Sequence, residues 1–225
     1  MKHEIIDFKE PGFRSGFEKI DIFQLDRKSL FWANVPRWTF DKCLALIGLA
    51  LTALVATFLF ILNPLVNPGP VFYRQTRMGK GGKAFSLWKF RTMSAGSVSA
   101  RAPDAPVEVH RITPLGAILR KMRVDEIPNF INVLFGDMSV IGPRPDAFDH
   151  SVAYLGTVPG YAKRFQVRPG ITGLAQVRNG YADCKRAIVR KARFDKFYVE
   201  NQSILLDLAI VLATVRVMYS GFGAK

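Results

Sequence analysis

The feature of the sequence that most constrains its fold is an uninterrupted apolar stretch near the N-terminus. Residues 44–62 read LALIGLALTALVATFLFIL and contain no charged side chain. As a helix this stretch would be about 28 Å long at ~1.5 Å per residue, close to the thickness of a bilayer core. We therefore predict a membrane helix over residues 38–67. It either spans the bilayer or enters it and returns to the same face, and a buried helix of a soluble core is the third alternative.

The charges around this stretch bear on its orientation. All charged residues between this stretch and Asp104 are basic. By the positive-inside rule, this predicts that the downstream side is cytoplasmic. Arg37 and Lys42 precede it, so the asymmetry is weak and a re-entrant helix is favoured. The formal net charge is +14 and 49% of the residues are hydrophobic. A membrane surface accounts for both values, whereas a nucleic-acid binder would account for the charge alone.

The remaining chain predicts an α+β fold that is mainly helical. Residues 1–37 are polar and aromatic and are interpreted as an arm along the membrane or another protomer, with a loosely packed terminus without function as the alternative. Residues 68–225 form the predicted catalytic domain, which starts with two short strands around a glycine-lysine turn and contains a basic helix over 185–198. A last apolar helix over 204–219 carries Asp207 and Arg216, so it is predicted to lie in the membrane interface, with a core helix as the alternative.

Two adjacent carboxylates, Asp125 and Glu126, open a predicted short helix that ends at Gly136. Its predicted buried side consists of Ile127, Phe130, Ile131, Leu134 and Phe135. Arg120 and Arg144 lie on either side of the pair in the sequence. Ionised carboxylates in a cationic pocket suit either a divalent metal, with Asp125 as its ligand, or attack on a phosphorus atom. A capping Asp with surface salt bridges is the simpler alternative.

Further candidate phosphate-binding cations lie outside this segment. Lys89 and Arg91 lie on either side of Phe90 at the end of the second predicted strand. They are expected to contact a phosphate or lipid headgroup, or to form a solvated face. Arg168 precedes Pro169 in a second proline turn. The two cysteines, Cys43 and Cys184, have no metal-ligand spacing, which fits a reducing compartment.

Several motifs, in this order, resemble the bacterial sugar transferase family, the monotopic phosphoglycosyl transferases. The resemblance runs from about residue 37 to the C-terminus. The motifs are PGPVF at 68–72, KFRTM at 89–93, VDEIP at 124–128, NVLFGDMS at 132–139, GPRP at 142–145, RPGITG at 168–173 and LDL at 206–208.

The resemblance implies transfer of a sugar 1-phosphate from a nucleotide diphosphate sugar, usually a UDP-sugar, to undecaprenyl phosphate, with release of UMP. Asp125 matches the family's nucleophile, which forms a covalent phosphosugar intermediate, and Glu126 matches its partner. Arg120, Arg144 and Arg168 match its phosphate-binding arginines, and Mg²⁺ is its metal. The implied setting is the cytoplasmic face of the bacterial inner membrane. The implied role is the first membrane step of exopolysaccharide, O-antigen or glycoconjugate synthesis, without nucleic acid; a homodimer is left open.

The sequence departs from the family pattern at two places. Ala53 and Leu54 stand where the family usually has the Ser-Pro that breaks its membrane helix into a hairpin, so the kink has no sequence cause here. Leu174 stands where members often have Trp. No motif identifies the sugar, and a catalytically inactive scaffold of a polysaccharide assembly complex is the alternative function.

Overall fold

The computed structural model describes residues 37–94, 108–179 and 185–220. These contain short strands and a majority of helix, which confirms the mainly helical α+β prediction. The predicted arm, apart from Arg37, lies outside the described residues. The helices are α1 (Arg37–Val66), α2 (Pro114–Lys121), α3 (Asn129–Phe135), α4 (Phe148–Thr157), α5 (Leu174–Asn179), α6 (Lys185–Glu200) and α7 (Ile204–Ser220). The strands are β1 (Phe72–Met78), β2 (Ala84–Phe90), β3 (Ser139–Ile141) and β4 (Gly170–Thr172).

The apolar stretch lies in α1, which is long and apolar enough to cross a membrane. The helix is continuous through Ala53 and Leu54, where a hairpin would need its break, and Pro64 lies near its C-terminal end. Re-entrant insertion therefore stays a prediction.

One face of α1 packs against the rest of the protein along the length of the helix. The buried residues recur every three or four positions and form one stripe: Asp41, Ala45, Gly48, Thr52, Ala56, Leu59 and Asn63. The other faces carry large exposed apolar side chains, among them Leu54, Phe58 and Leu65. Among the described residues α1 is covered on one face only, whereas the buried helix of a soluble core is covered on all sides.

Specific contacts fix α1 at both ends and near its centre. Asp41 accepts a hydrogen bond from the Val140 N–H at 2.9 Å. Gly48 lies so close to Phe130 of α3 that a Cβ at this position would be 2.2 Å from the ring. At the other end, Asn63 donates to a backbone carbonyl in the loop after the helix at 2.8 Å. The helix and the predicted catalytic domain thus share one continuous contact.

The strands β1 and β2 form the predicted antiparallel hairpin around the glycine-lysine turn. Its register pairs Tyr73 with Lys89 and Arg77 with Phe85. Side chains of directly paired residues lie on the same side of an antiparallel sheet, and alternate residues of a strand share that side. Tyr73, Arg77 and Lys89 therefore belong to one face of the hairpin.

The helix α3 differs from the predicted one in its start and in the exposure of Phe135, whereas Phe130 and Leu134 pack against the core as predicted. It ends at Gly136, in the left-handed conformation (φ 87°), as predicted, but the two carboxylates lie in a separate turn before it. Phe135, predicted to be buried, is 77% exposed, whereas Asn132 is buried. Asn132 is buried because its side chain accepts a hydrogen bond from the Trp88 N–H at 3.0 Å and so satisfies the free edge of β2.

The strands β3 and β4 form a second, parallel pair that leads directly into the Gly-Pro-Arg-Pro turn of residues 142–145. The Gly142 N–H donates to the Thr172 carbonyl at 2.9 Å, and the Gly170 N–H donates to the Pro143 carbonyl at 3.0 Å. These bonds fix the backbone of the turn that carries Arg144.

The last helix, α7, packs on the core with some residues and exposes large apolar side chains at others. Leu206, Ile210 and Ala213 are buried in the main core. Large apolar side chains on other positions are exposed: Leu208, Leu212, Val215 and Met218. The location of α7 in a membrane interface stays a prediction, which this exposed apolar surface supports.

Candidate active site

The adjacent carboxylates lie in a 3₁₀ turn, Val124–Glu126, between α2 and α3. Arg123, directly before them, has φ 56° and is the one non-glycine residue with a positive φ among the described residues. This left-handed residue ends the helical backbone of α2 and starts the turn. Strained backbone of this kind clusters at functional sites.

Glu126 is the centre of an ion-pair network. Its Oε1 lies 2.8 Å from the Lys89 Nζ, and Arg144 donates to its Oε2 at 2.9 Å and also to Oε1. The side chains of Glu126 and Lys89 are only 13% and 15% exposed. Burial works to raise the pKa of Glu126, but Arg144 and Lys89 outweigh it and hold that pKa well below its usual range. Glu126 is therefore ionised, and its oxygens are engaged by protein cations.

Asp125 is also buried, but its carboxylate is in a different state. Within the described part of the chain it accepts no hydrogen bond and forms no ion pair. Burial raises the pKa of Asp125, and neighbouring Glu126 adds to this, while the positive charges of Lys89, Arg120 and Arg144 oppose it. Its oxygens are thus available to a ligand or an electrophile, in a setting that attracts anions.

Arg120 reaches this corner because α2 is fixed at its start. The Thr113 hydroxyl accepts a hydrogen bond from the Gly116 N–H at 3.1 Å, which confirms the predicted N-cap. At the other end, the Arg120 Nε donates to the Thr92 hydroxyl at 2.9 Å. Thr92, the fourth residue of the KFRTM motif, thus orients the arginine whose charge acts on Asp125.

A buried ionic cluster, which we call the support cluster, lies beneath the turn that carries Arg144. It consists of Asp146, Tyr161, Arg164, Lys191 and Asp195. Arg164 donates to the Arg144 carbonyl and to Asp146, and it lies 3.2 Å from Asp195. Sequence reasoning missed this cluster, because Lys191 and Asp195 lie in a helix that is rich in charge throughout and has no signal for burial.

Charge in the support cluster is balanced by close pairs. Lys191 and Arg164 both bind the Asp146 carboxylate, and the Tyr161 hydroxyl donates to it at 2.7 Å. Burial works to raise the pKa of Asp146, but the two cations hold it well below its usual range. Burial raises the pKa of Asp195, in contrast. The cluster is a structural base for Arg144 rather than a second reactive site.

Two of the predicted phosphate-binding arginines form no hydrogen bond or ion pair with the acidic pair among the described residues. Arg91 donates to the Pro70 carbonyl at 2.7 Å and to the Met93 carbonyl at 3.1 Å, so it holds the loop after α1. The Arg168 side chain is exposed and, in the described ranges, forms no hydrogen bond or ion pair with either carboxylate. Phosphate binding by these two residues stays a prediction, whereas Lys89, Arg120 and Arg144 all act on the acidic pair.

The acidic corner was also predicted to hold Mg²⁺ through Asp125. No group of three or more His, Cys, Asp or Glu side chains that could hold a metal occurs in the residues that the structure describes. Mg²⁺ in phosphoryl-transfer sites is often bound by one or two carboxylates, with phosphate and water as the other ligands. The free carboxylate of Asp125 fits this mode of binding.

Comparison with known proteins identifies relatives over most of the chain. Residues 32–221 match the sequence model of a family described as bacterial sugar transferase. An exopolysaccharide production protein of Rhizobium leguminosarum is 40% identical over 191 residues, which cover 80% of this chain and 94% of that protein.

Other relatives are named for a specific transfer. An Aeromonas hydrophila protein named UDP-N-acetylgalactosamine-undecaprenyl-phosphate N-acetylgalactosaminephosphotransferase is 40% identical over 82% of this chain. An Escherichia coli protein named UDP-glucose:undecaprenyl-phosphate glucose-1-phosphate transferase is 39% identical over 82% of this chain. The aligned regions span 44% and 40%, respectively, of the lengths of these two relatives.

Proposed function

The chain belongs to the bacterial sugar transferase family, and we propose that it transfers a sugar 1-phosphate from a nucleotide diphosphate sugar to undecaprenyl phosphate. The names of the relatives support this acceptor and a UDP-linked donor. The product is a sugar linked to undecaprenol through a diphosphate, and the second product is UMP. Such a product would start an exopolysaccharide, an O-antigen or another glycoconjugate.

The observation that carries the proposal is the contrast between the two neighbouring carboxylates. Glu126 is bound by Lys89 and Arg144, whereas the buried Asp125 has no protein partner among the described residues. A nucleophile needs a lone pair that is not already engaged, and it needs cations nearby that offset the negative charge of its target. Asp125 meets both conditions and Glu126 meets only the second.

The transfer takes place in two balanced steps. An Asp125 carboxylate oxygen forms a bond to the phosphorus that carries the sugar, and the bond from that phosphorus to the bridging oxygen breaks, so that UMP leaves with the bridging oxygen. A phosphate oxygen of undecaprenyl phosphate then attacks the same phosphorus, and the bond to Asp125 breaks. Asp125 attacks as its carboxylate and the acceptor attacks as its phosphate anion, so no proton is transferred in either step.

Each cation of the site has a part in these steps. Arg144 and Arg120 lie on fixed backbone and stabilise the charge that builds up on the oxygens around phosphorus. Lys89 and Arg144 keep Glu126 ionised and in place. Asp125, with the substrate diphosphate, would hold Mg²⁺, and the ion supplies further neutralisation of the diphosphate charge when it is bound.

The acceptor is a lipid phosphate, so the site must lie at headgroup depth. The exposed apolar faces of α1 and α7 support attachment to a membrane. The buried stripe of α1 extends from Asp41 to Asn63 and contacts the catalytic domain throughout. A straight span would take these contacts of the domain into hydrocarbon, which favours a shallow or re-entrant helix on the cytoplasmic face of the inner membrane.

The proposal is tested by release of UMP from a panel of UDP-sugars, including UDP-glucose and UDP-N-acetylgalactosamine. The full chain is assayed in detergent with undecaprenyl phosphate and Mg²⁺. We expect release from at least one donor, dependent on the acceptor for multiple turnovers, and its loss when Mg²⁺ is chelated. An absence of release with every donor would contradict the proposal and favour the inactive scaffold.

A further inference from the structure

The hairpin places one more cation, Arg77 of β1, beside the acidic pair. Its Nη1 donates to the Pro145 carbonyl at 3.0 Å, and its Nη2 donates to the Gln75 side chain. Its Nε is buried and has no hydrogen-bond partner. The backbone of the strand also pairs with the segment after the turn, because the Met78 N–H donates to the Asp146 carbonyl at 3.3 Å. β1, which is distant in sequence, thus holds the turn that carries Arg144 through hydrogen bonds to the two residues that follow it.

The support cluster and Arg77 hold this turn through consecutive carbonyls. Arg164 binds the carbonyl of Arg144, and Arg77 binds the carbonyl of Pro145. Because two guanidinium groups donate hydrogen bonds to adjacent carbonyls, the backbone that carries the Arg144 side chain has little freedom to move. Transition-state stabilisation depends on preorganised donors, so loss of either hydrogen bond would weaken the stabilisation that Arg144 provides.

The charge balance around the acidic pair also depends on Arg77. The charges of Arg144 and Glu126 both act on its guanidinium, so it lies in the same electrostatic environment. Asp125 and Glu126 bring two negative charges. Lys89, Arg120 and Arg144 act on this pair, and Arg77, which interacts with Glu126, brings the positive charges to four. The support cluster is neutral in itself, with two acids and two bases. The pocket therefore has an excess of two positive charges, which matches a doubly charged anion.

We propose that Arg77 is a positioning residue of an anion site that binds a diphosphate. It fixes the turn beneath Arg144, and it supplies one of the two positive charges that the acidic pair leaves unbalanced. The assignment of the anion as the diphosphate of a nucleotide sugar rests on the proposed function, while the anion site itself does not.

Anion binding by the full chain in detergent tests this inference, with UDP and inorganic pyrophosphate as probes in isothermal titration. The variants are Arg77→Gln, which removes the charge, and Arg77→Lys, which keeps it without the forked geometry. Arg74→Gln is the matched control, because Arg74 lies on the same strand but stacks on the Trp88 ring, 5.0 Å from its centroid, on the other face.

We expect Arg77→Gln to weaken binding of both probes at least tenfold and to make binding less sensitive to salt. Arg77→Lys should retain binding within about threefold but lower kcat, because the Pro145 carbonyl loses its rigid donor. Arg74→Gln should bind both probes as the unchanged chain does. Melting temperatures of all variants separate these effects from unfolding.

Each other outcome has a distinct meaning. Equal losses in Arg77→Lys and Arg77→Gln, or binding by Arg77→Gln at the original strength, would overturn the inference. If Arg77→Gln does not fold, a loss of more than tenfold in a folded Arg77→Lys overturns it as well. Binding of pyrophosphate without UDP, reduced in Arg77→Gln, would contradict the proposed function and leave the anion site standing. Failure of the unchanged chain to bind either probe contradicts both.

Discussion

Glu126 is the residue on which most of the charged groups of the site converge. Replacement by Gln keeps its shape but leaves Lys89 and Arg144 without a counter-charge in a mostly buried position. Breaking a buried ion pair in this way costs about 3–5 kcal/mol. We expect Glu126→Gln to lower the melting temperature clearly and to reduce kcat about 100-fold or more, because Arg144 loses its fixed orientation.

A matched control is available at a surface ion pair. Glu108 pairs with Arg111 three residues away, and its side chain is 48% exposed. Exposed pairs of this kind are worth about 0–1 kcal/mol, so Glu108→Gln should change neither stability nor activity measurably. If Glu126→Gln behaved like the control, the ion-pair network would not be what organises the site.

At the scale of single residues, the sequence predicted that the acidic pair and Arg144 lie together, but not the residues that support them. Adjacent carboxylates and the arginine between two prolines are local signals, and the structure brings Asp125, Glu126 and Arg144 together. Arg77 and Arg164 were not predicted, because their importance depends on carbonyls that only the tertiary fold places beside them. Arg91 shows the converse, since a cation within a family motif is bound to backbone carbonyls instead.

Among the helices, the packing of α1 on α3 depends on the absence of a side chain at Gly48. A methyl group there would lie 2.2 Å from the Phe130 ring and 2.8 Å from the Phe130 Cβ. Overpacking of this kind costs about 1–3 kcal/mol. We expect Gly48→Ala to lower the melting temperature in detergent, and the double variant with Phe130→Ala to recover part of the loss.

Gly156 in α4 provides the control, because a Cβ there would meet nothing within 4 Å. Gly156→Ala should be neutral or stabilising by up to about 1 kcal/mol, through helix propensity alone. Equal melting temperatures for the unchanged chain and Gly48→Ala would show that α1 is not seated on α3 as the structure describes.

The support cluster predicts a specific dependence of stability on pH. The pKa of Asp146 is lowered in the folded protein, so its stabilising effect is full above the unfolded value of about 3.9 and is lost as pH falls below it. We expect Asp146→Asn to destabilise the protein by about 3–5 kcal/mol near pH 7. Thermal melting from pH 7 to pH 2 should show this difference shrink at the acidic end, as Asp146 is protonated in the unfolded state first.

Asp149 is an exposed acid three positions along the same segment, and Asp149→Asn should leave the melting temperature within error at every pH. The pKa of Asp195 is raised, so its effect on stability changes with pH in the opposite direction. Because Asp195 is present in every variant of this series, this effect does not enter the comparison between variants. A difference between Asp146→Asn and the unchanged chain that does not vary with pH would contradict the ionic account of the cluster.

Elements with strong local signals were predicted well. The Thr113 N-cap, the hairpin around the glycine-lysine turn and the end of α3 at Gly136 all follow from local backbone chemistry. The start of α3 and the burial of Phe135 were predicted wrongly, whereas Phe130 and Leu134 pack against the core as predicted. The burial of Asn132 was not predicted, because its side chain satisfies a strand edge that is distant in sequence. Periodicity of apolar residues does not report such a polar contact.

At the scale of the whole molecule, the exposed apolar face of α1 should determine membrane attachment. Leu54 and Phe58 lie on this face, at 57% and 60% exposure. A charged residue in hydrocarbon costs about 2.5–3.5 kcal/mol near the centre of a helix. We expect the double variant Leu54→Glu, Phe58→Glu to float poorly with anionic vesicles, while Thr76→Glu on the exposed hairpin floats normally. Unchanged flotation would place the membrane contact elsewhere.

The central claim is that Asp125 becomes covalently bonded to the phosphorus that carries the sugar, and intact-mass spectrometry tests it most directly. The full chain is incubated with Mg²⁺ and a UDP-sugar that supports UMP release, without the lipid acceptor. The account predicts a mass increase equal to one phosphosugar on Asp125 and none in Asp125→Asn, with Asp137→Asn, an exposed acid after α3, behaving as the unchanged chain. The same adduct in Asp125→Asn, or turnover of that variant at the original rate, would contradict it.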